Sequence, residues 1–551
     1  DLLRLILILC MCTSLHMQAQ DIFNVLDNKE KLKSSINFDE IITLTDNAFG
    51  NDLQAELTFS KQPLGLGVTK LVDEINLFKK NHFSKFPIKK FEITVHDGKV
   101  YPTKNFFMAT EHAFFNVHFG IGKSRKIKDR PGDLLIIPFS LLHNNANCVH
   151  NGIMLITHSD ERFSNALLQI SSETCAYMKF DYVSVFAITA NTKNTTTSVK
   201  KHTPYKDIYP IKNLYEEHGF DYKVFADSAA FKQENVTIFG LIDGEEHYIG
   251  GCLTRNGTYP ICEQLLLPSY SLAKSLAGTV GMSLLENKYG NISDLIVADL
   301  LQECDLRQWR DVTLENLSDM ATGNFLKLGH DLDESGFKQT KFIFNASTHA
   351  EKLKQACTAY PRKSRPGKKF VYHTSDTYIL GASFNAFLKK SSNLDDYYSE
   401  ILAPFYQSMG MSYALSETLR TTGETSQAFT GWGMYLLRDD IEIISNFIHN
   451  QTQSDSSQYA FLKKALDEGE EKIEAIPGAN ISYNNGFWQR KYDAGTFGCE
   501  ADTWIPFMSG FGGVTVAFLP NRMTYYYFSD GYTYSWDSAV FAANKIRPFC
   551  N

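Results

Sequence analysis

Short apolar runs alternate with polar breaks along the first third of the chain. Five of these runs are rich in β-branched and aromatic residues and are bounded by Gly, Asn or Asp, namely FEITVHD, FFNVHFGI, DLLIIPFSLL, GIMLITH and YVSVFAIT. Runs of this length and composition are typical of β-strands separated by turns. The pattern therefore predicts a β-rich accessory domain over residues 21–190, either a sandwich or a barrel-like sheet. Covering a cleft, binding a polymer and mediating oligomerisation all remain open as its role.

The pattern changes after residue 190. Residues 191–204 are rich in Thr, Lys and Asn without apolar periodicity, which predicts a linker. The next run, NVTIFGLIDGEEHYIGGCL, predicts two strands joined at Asp243-Gly244, and a long stretch with helical segments follows. Three further strand-like runs, ISYNNGFWQR, GVTVAFLP and MTYYYFSDG, precede a last helical run, SWDSAVFAANKI. This order predicts an α/β (α+β) domain over residues 205–551 with an antiparallel sheet that is discontinuous in sequence.

The first twenty residues, DLLRLILILCMCTSLHMQAQ, combine one arginine, a short apolar stretch and a polar end that contains Ala19. This arrangement is typical of a secretory signal peptide and is too short for a stable membrane span. It predicts that residues 1–20 are removed and that the mature protein is secreted or periplasmic. No later segment has about 18 uninterrupted apolar residues, so no transmembrane segment is expected.

Charge and cysteine content narrow the class of protein further. The formal net charge is −8 and the basic residues are scattered, whereas a nucleic-acid surface needs concentrated Lys and Arg, so no nucleic-acid partner is expected. Of the ten cysteines, eight lie outside the predicted signal peptide, and this even number permits disulfides in an exported protein. Cys252 and Cys262 flank LTRNGTYPI, whose Asn256-Gly257 indicates a hairpin turn. A disulfide across this hairpin is therefore predicted.

The segment SYSLAKS, residues 269–275, places Ser271 and Lys274 at the start of a helical run. A helix N-terminus presents free N–H groups and a partial positive charge, and a serine there is well placed to act as a nucleophile. The spacing of three residues puts Lys274 on the same helix face. Burial beside positive dipoles disfavours the charged amine, so a neutral Lys274 is able to take the serine proton. Taken alone, the pattern also fits a serine and a surface lysine on an ordinary helix.

Six segments, in this order, resemble the serine β-lactamase/penicillin-binding-protein-like superfamily. Within it they are closest to the hydrolase branch of family VIII esterases, 6-aminohexanoate-dimer hydrolase and class C relatives. The segments are GLIDGEEHYIGG, SYSLAKSLAGTVGMSLLENKYGNISD, RDVTLENLSDMATGNF, FVYHTSDTYILGASF, GWGMYLLRDDIEII and SGFGGVTVAFLP. The resemblance spans residues 205–551. It implies an antiparallel sheet flanked by helices, an all-helical subdomain, and a catalytic pair of Ser271 as nucleophile and Lys274 as base.

The second motif of that superfamily matches Tyr372-His373-Thr374. The resemblance gives Tyr372 the role of a proton relay, and a phenol near an ammonium group ionises more easily. Thr374 is expected to bind substrate, although its hydroxyl lacks the paired donor and acceptor of the Asn that is common there. His373 is expected to be non-catalytic, and Asp376 is expected to serve local structure.

The third motif matches Phe511-Gly512-Gly513, where relatives that recognise penicillin have Lys-Thr-Gly or His-x-Gly. These three residues are expected to bind substrate, since the glycines permit close approach, although a glycine pair also suits a β-bulge. By analogy, the backbone N–H groups of Ser271 and Val514 would form the oxyanion hole. Phe511 offers no positive partner for the carboxylate of a β-lactam or a D-Ala-D-Ala peptide. Ester bonds, or linear amides, are therefore favoured as substrates.

The sequence thus predicts a secreted serine hydrolase that acts on a small-molecule ester or amide through an acyl-enzyme. Two alternatives stay open: a β-lactamase-like or D-peptidase-like cell-wall enzyme, and a catalytically inactive binding or scaffold protein on the same fold. No cofactor and no metal is expected, because His112, His118 and His143 lack the spacing of a metal site. The natural substrate and the oligomeric state are left open.

Overall fold

The computed structural model describes residues 19–61, 63–67, 87–103, 106–160, 162–193, 208–219, 223–226, 232–305, 307–453, 457–467 and 473–550. The predicted signal peptide lies outside the described residues as far as residue 18. The predicted linker also lies outside them from residue 194 onwards, while Asn191 and Thr192 end a strand. Within the described ranges, no helix is long and apolar enough to cross a membrane.

The described part of residues 45–192 contains a fourteen-stranded antiparallel sheet, the N-terminal sheet. Its strands are β1 Thr45–Phe49, β2 Leu53–Phe59, β3 Gly65–Gly67, β4 Lys90–His96, β5 Lys99–Pro102, β6 Phe107–Met108, β7 Phe115–Phe119, β8 Gly122–Ile127, β9 Asp133–His143, β10 Val149–Ser159, β11 Arg162–Phe163, β12 Ala166–Thr174, β13 Tyr182–Phe186 and β14 Ile188–Thr192. The main strand order is β14-β2-β4-β5-β8-β9-β10-β12-β13-β3, with β1, β6, β7 and β11 paired beside this path. All five apolar runs that predicted strands here are strands.

The central strand β9 is buried along its whole length. Successive side chains point to opposite faces of a strand, and here the two faces belong to different cores. Leu135 and Ile137 pack inside the N-terminal sheet, whereas Leu134 and Ile136 pack into a core shared with the rest of the chain. This double burial explains why the run is continuously apolar instead of alternating.

A second, nine-stranded sheet forms from residues 208–529. Its strands are β15 Ile208–Pro210, β16 Val236–Asp243, β17 Glu246–Gly251, β22 Ile473–Ile476, β23 Ile481–Asn484, β24 Phe487–Tyr492, β25 Thr503–Gly510, β26 Val514–Phe518 and β27 Met523–Ser529. The strand order is β15-β17-β16-β27-β26-β25-β24-β23-β22, and all pairings except β15 with β17 are antiparallel. Two short pairs lie apart from it: β18 Leu253–Thr254 with β19 Gly257–Thr258, and β20 Leu267–Pro268 with β21 Tyr435–Leu436.

Helices occupy most of the stretch between β20 and β22. The described α-helices are α1 Ala19–Leu26, α2 Phe38–Thr43, α3 Asn213–His218, α4 Lys223–Ala226, α5 Val280–Tyr289, α6 Val297–Leu300, α7 Leu314–Ser318, α8 Phe337–Thr340, α9 His349–Thr358, α10 Thr374–Ser391, α11 Ala403–Ser408, α12 Arg438–Gln453, α13 Ala460–Leu466 and α14 Asp537–Ile546. Wider π-helical turns cover Lys274–Thr279, Lys341–Asn345 and Tyr398–Leu402. The predicted fold class, an antiparallel sheet flanked by helices with a helical region and a β-rich N-terminal part, is confirmed.

The sequence prediction missed three strands of the second sheet: the short β15 and β22, and the long β25. The segment TWIPFMSG forms β25, although Pro506 has no N–H to donate to a sheet ladder. Its neighbour β24 pairs only with Thr503–Phe507, so the end of β25 from Met508 to Gly510 leaves one edge unpaired. This open edge lies beside the candidate site.

The eight cysteines outside the predicted signal peptide are all paired. The pairs are Cys148–Cys175, Cys252–Cys262, Cys304–Cys357 and Cys499–Cys550. The disulfide predicted across the β18–β19 hairpin is therefore confirmed. Cys148–Cys175 joins two loops of the N-terminal sheet at the face that meets the second sheet.

Candidate active site

Ser271 lies in the tight turn between β20 and the helical turn that begins at Lys274. The preceding residue, Tyr270, has φ +42°, a left-handed conformation that is costly for a residue with a large side chain. Tertiary contacts hold this strained residue in place. Its N–H donates to Asn147 Oδ1 at 2.8 Å and its hydroxyl donates to the Thr174 carbonyl at 2.8 Å. Both partners belong to the N-terminal sheet.

Asn147 is fully buried and reaches several backbone groups around the nucleophile. Besides Tyr270, its side-chain oxygen accepts from the Gly433 N–H at 2.9 Å, and its amide donates to the Met434 carbonyl at 3.3 Å. One side chain thus ties the turn before Ser271 to the segment that follows Gly431. No pattern in the sequence signalled this role, because Asn147 belongs to the N-terminal sheet.

Lys274 is the central side chain of the site and is only 2% exposed. Its Nζ donates to Ser271 Oγ at 2.9 Å, to Thr374 Oγ1 at 3.0 Å and to the Gly431 carbonyl at 3.1 Å. Burial lowers the pKa of Lys274 to about 8, against an upward pull from Glu334 and Asp376. The predicted pair of Ser271 and Lys274 is therefore in direct contact, with a lysine that loses its proton more easily than usual.

Tyr372 completes a triad with this pair. The Lys274 Nζ lies 4.8 Å from the centre of the Tyr372 ring, and Ser271 is near enough to the phenol to favour its ionisation. Burial raises the pKa of Tyr372 well above its usual value. The structure therefore corrects the expectation that a nearby ammonium group makes this phenol more acidic, because desolvation outweighs that attraction. The Tyr372 phenol is therefore neutral at physiological pH.

Thr374 lies behind the triad and is buried. Its hydroxyl accepts from Lys274 and donates to Glu334 Oε1, while its N–H donates to Glu334 Oε2 at 2.9 Å. The predicted substrate-binding role does not match this placement, since the hydroxyl already serves Lys274 and Glu334. Sequence reasoning also missed Glu334, which lies in a loop without a recognisable pattern. The site thus contains a hydrogen-bonded chain from Ser271 through Lys274 and Thr374 to Glu334.

His373 belongs to a buried charge cluster behind Thr374. Its ring lies 3.1 Å from an Asp333 oxygen and 3.5 Å from an Asp376 oxygen, and it stacks on Tyr360 at 4.0 Å. Although burial lowers the pKa of His373, the two carboxylates outweigh it and raise that pKa to about 9. Both ring nitrogens are thus engaged with carboxylates, an arrangement that agrees with the expected non-catalytic role. Asp376, likewise, serves this cluster.

The third motif lies differently from the expectation. A Cβ on Gly510 would lie 3.2 Å from the Ser269 carbonyl and 3.1 Å from Tyr270, so Gly510 is the glycine packed against the nucleophile turn. Gly512 and Gly513 lie against residues 529–533 instead. Met508-Ser509-Gly510, at the open edge of β25, therefore lies where the Lys-Thr-Gly motif was expected. The motif position is three residues earlier than the predicted Phe511-Gly512-Gly513.

Val514 was expected to offer an oxyanion N–H, but it is fully buried in β26 and pairs with Gly510 on one side and Phe528 on the other. Its backbone therefore faces neighbouring strands. By contrast, neither the Ser271 N–H nor the Phe511 N–H donates a hydrogen bond to another described residue. Two unused backbone donors thus flank the point where Gly510 meets the nucleophile turn.

Two cations close to the third motif in sequence, Lys491 and Arg522, contact other residues. The Lys491 amine lies 3.0 Å from an Asp502 oxygen, and Arg522 donates to Asn450 Oδ1 at 3.0 Å. Within the part of the chain that the structure describes, no group of three or more His, Cys, Asp or Glu side chains could hold a metal ion.

A scan against protein-family models and a search of curated proteins found no match. A search of solved structures found similar chains. One, from Bacillus anthracis, bears the name 6-aminohexanoate-dimer hydrolase. It is 17% identical over 57% of this chain and 79% of that chain, with a TM-score of 0.41. Another is a class C β-lactamase, with 15% identity over 61% of this chain and 95% of that chain and a TM-score of 0.41.

A third similar structure is a β-lactamase/D-alanine carboxypeptidase from Pseudomonas syringae. It is 12% identical over 61% of this chain and 98% of that chain, with a TM-score of 0.41.

Proposed function

We propose that the protein is a serine hydrolase that cleaves esters through an acyl-enzyme on Ser271, with Lys274 as the general base. The observation that carries this proposal is the 2.9 Å contact between Lys274 Nζ and Ser271 Oγ inside a buried site. Because burial lowers the pKa of Lys274 to about 8, the neutral amine is accessible close to physiological pH.

In the first step, neutral Lys274 takes the proton from Ser271 Oγ as this oxygen attacks the carbonyl carbon. The bond to the leaving alcohol then breaks, and the alcohol departs with a proton from Tyr372. The Lys274 ammonium supplies the proton that restores Tyr372. Water, deprotonated by the same pair, next attacks the acyl carbon, which releases the carboxylic acid and regenerates the Ser271 hydroxyl.

For the oxyanion hole, we assign the backbone N–H groups of Ser271 and Phe511. Neither donates to another described residue, and Gly510 brings the strand end against the nucleophile turn. Two such donors stabilise the negative charge that develops on the carbonyl oxygen during attack. Phe511 thus keeps a role in the site through its backbone.

Esters, with linear amides as the second choice, are the proposed substrates. The open edge of β25 carries Met508 where a relative that recognises penicillin has a cation, and Lys491 is paired with Asp502. A substrate carboxylate would thus lack a positive partner at this edge. Because the described residues place no cation at this edge, β-lactams and D-Ala-D-Ala peptides are disfavoured as substrates.

The proposed location is outside the reducing cytosol. Eight cysteines form four disulfides in the structure. Stable disulfides of this number are typical of secreted and periplasmic proteins, because cytosolic thiols are kept reduced. This observation supports export, in agreement with the signal pattern of residues 1–20.

The proposed function is tested with a fluorophosphonate probe and three substrates: p-nitrophenyl acetate, a chromogenic cephalosporin and a D-Ala-D-Ala peptide. We expect the probe to label Ser271, as located by mass spectrometry, and only the acetate ester to turn over rapidly. Turnover of the cephalosporin or the peptide alone would identify a cell-wall enzyme. Absence of both labelling and turnover would leave the binding or scaffold protein.

The pH dependence of ester turnover tests the role of Lys274. Since the base is active without its proton and its pKa is about 8, kcat/KM should rise with pH and reach half of its maximum near pH 8. Glu334 pulls this pKa upward, so Glu334→Gln should move the midpoint to lower pH. Profiles measured with p-nitrophenyl acetate, corrected for spontaneous hydrolysis, check both statements. An unchanged midpoint in Glu334→Gln would contradict the coupling.

A further inference from the structure

Two loops of the N-terminal sheet contact the candidate site. One is the turn 144–148 between β9 and β10, and the other is the loop 175–181 between β12 and β13. The disulfide Cys148–Cys175 joins these loops. The Trp432 ring N–H donates to the Asn145 carbonyl at 2.6 Å, in addition to the contacts of Asn147. The N-terminal sheet therefore forms part of the site's surroundings.

From the second loop, Tyr177 reaches aromatic rings of two other parts of the chain. Its ring centre lies 6.3 Å from that of Phe344 in the helical region and 6.2 Å from that of Phe511 in the second sheet. Phe511 lies in turn 5.4 Å from Tyr532. We name Tyr177, Phe344, Phe511 and Tyr532 the aromatic wall.

The aromatic wall is exposed beside the proposed nucleophile. Phe344 is 45% exposed, Phe511 44% and Tyr532 52%. The Phe511 ring lies 6.0 Å from that of Tyr270, the residue next to Ser271. Clustered exposed apolar side chains commonly mark a binding surface, because leaving them in water is unfavourable. Here the cluster adjoins the atoms that the proposed reaction uses.

The geometry of the rings favours a flat apolar occupant. Tyr177 and Phe344 meet at 89°, and Phe511 and Tyr532 also meet at 89°. Rings that stand edge to face expose faces and edges against which another aromatic ring packs. The Tyr177 hydroxyl is buried without a hydrogen-bond partner among the described residues, so this part of the wall has an unused polar atom as well.

We propose that the aromatic wall is a subsite for an aryl group of the ester substrate, and that the N-terminal sheet determines substrate specificity through Tyr177. This inference rests on the proposed ester hydrolysis and names the substrate class. It also chooses among the open roles of the N-terminal part: this sheet supplies one side of the cleft.

The test compares kcat/KM for ethyl acetate, ethyl phenylacetate and benzyl acetate, measured by pH-stat titration so that no aryl leaving group is added as a reporter. Ethyl phenylacetate places the aryl group on the acyl side, and benzyl acetate places it on the alcohol side. We expect the wild-type protein to prefer one of the aryl esters over ethyl acetate by at least about tenfold. Tyr177→Ala should remove most of this preference, because it should lower kcat/KM for the aryl ester far more than for ethyl acetate.

Two further variants separate the ring from other effects. Tyr177→Phe retains the ring and should keep the preference for the aryl ester. Phe49→Ala removes an exposed ring of the same sheet that stacks on Arg125, and it should keep the preference too. Equal losses on all three esters in Tyr177→Ala, or a wild-type protein without any aryl preference, would overturn the inference. Failure to turn over any ester, together with an unlabelled Ser271, would instead overturn the proposed function.

Discussion

Ser271→Ala should lower kcat/KM for p-nitrophenyl acetate by at least about a thousandfold and abolish labelling by the fluorophosphonate probe. The Ser271 Oγ is the only protein atom that forms a bond to the acyl group in the proposed mechanism. Lys274 and Tyr372 act on this oxygen, and no other nucleophile takes its place in the Ser271→Ala variant. Residual turnover should reflect only the backbone N–H groups and substrate binding.

A matched control is available in the same segment. Ser275 is buried and its hydroxyl donates to the Gly486 carbonyl at 2.7 Å, with no side-chain hydrogen bond to Ser271 in the described structure. Ser275→Ala should therefore keep labelling and most of the activity. Circular dichroism and thermal unfolding of both variants verify that the fold is intact. Labelling that persists in Ser271→Ala and disappears in Ser275→Ala would contradict the assignment of the nucleophile.

Lys274→Met should reduce kcat/KM by about a hundredfold to ten-thousandfold, the range for loss of a general base. Methionine has a similar length and fills the buried space without a proton-accepting amine. The remaining activity should also lose the pH dependence with a midpoint near 8 that Lys274 confers. The measurement is kcat/KM for p-nitrophenyl acetate between pH 6 and pH 10, a range that spans the pKa of about 8.

Lys352 is a control that separates the role of Lys274 from the effect of replacing any buried lysine. It is fully buried, its Nζ donates to the Phe342 carbonyl at 2.7 Å and to the Ile343 carbonyl at 3.2 Å, and burial lowers its pKa to about 7. It makes no described contact with Ser271. Lys352→Met should therefore retain the pH midpoint near 8 in the molecules that fold. A midpoint lost in Lys352→Met and kept in Lys274→Met would refute the role of Lys274.

Local patterns of the sequence were sufficient for most strands and for one disulfide. The β18–β19 hairpin forms where Asn256-Gly257 predicted a turn, although the turn is one residue earlier, at Arg255-Asn256, and Gly257 pairs with Thr254. This hairpin brings Cys252 and Cys262 together. Strand β25 escaped prediction because Pro506 and the mixed composition of TWIPFMSG hide a strand that pairing with neighbours on both sides stabilises. The hydrogen bonds to neighbouring strands are made only in the folded sheet, so the sequence of the segment alone does not reveal them.

The candidate site was predictable where its residues are neighbours in sequence. Ser271 and Lys274 lie three residues apart, so the start of one helix is enough to bring them together. The state of Tyr372 was not predictable, because the depth of its burial decides its pKa. Glu334 and Asn147 escaped for a related reason: each meets the site only after distant segments pack against it.

By itself, the sequence determined most of the strand and helix pattern and the pair of Ser271 and Lys274. These features depend on residues close together along the chain. Only the tertiary structure decided which glycine meets the nucleophile, which backbone N–H groups stay unused, and that the N-terminal sheet contributes Asn147 and Tyr177. These outcomes depend on strand register and on packing between segments far apart in sequence, which no local pattern encodes.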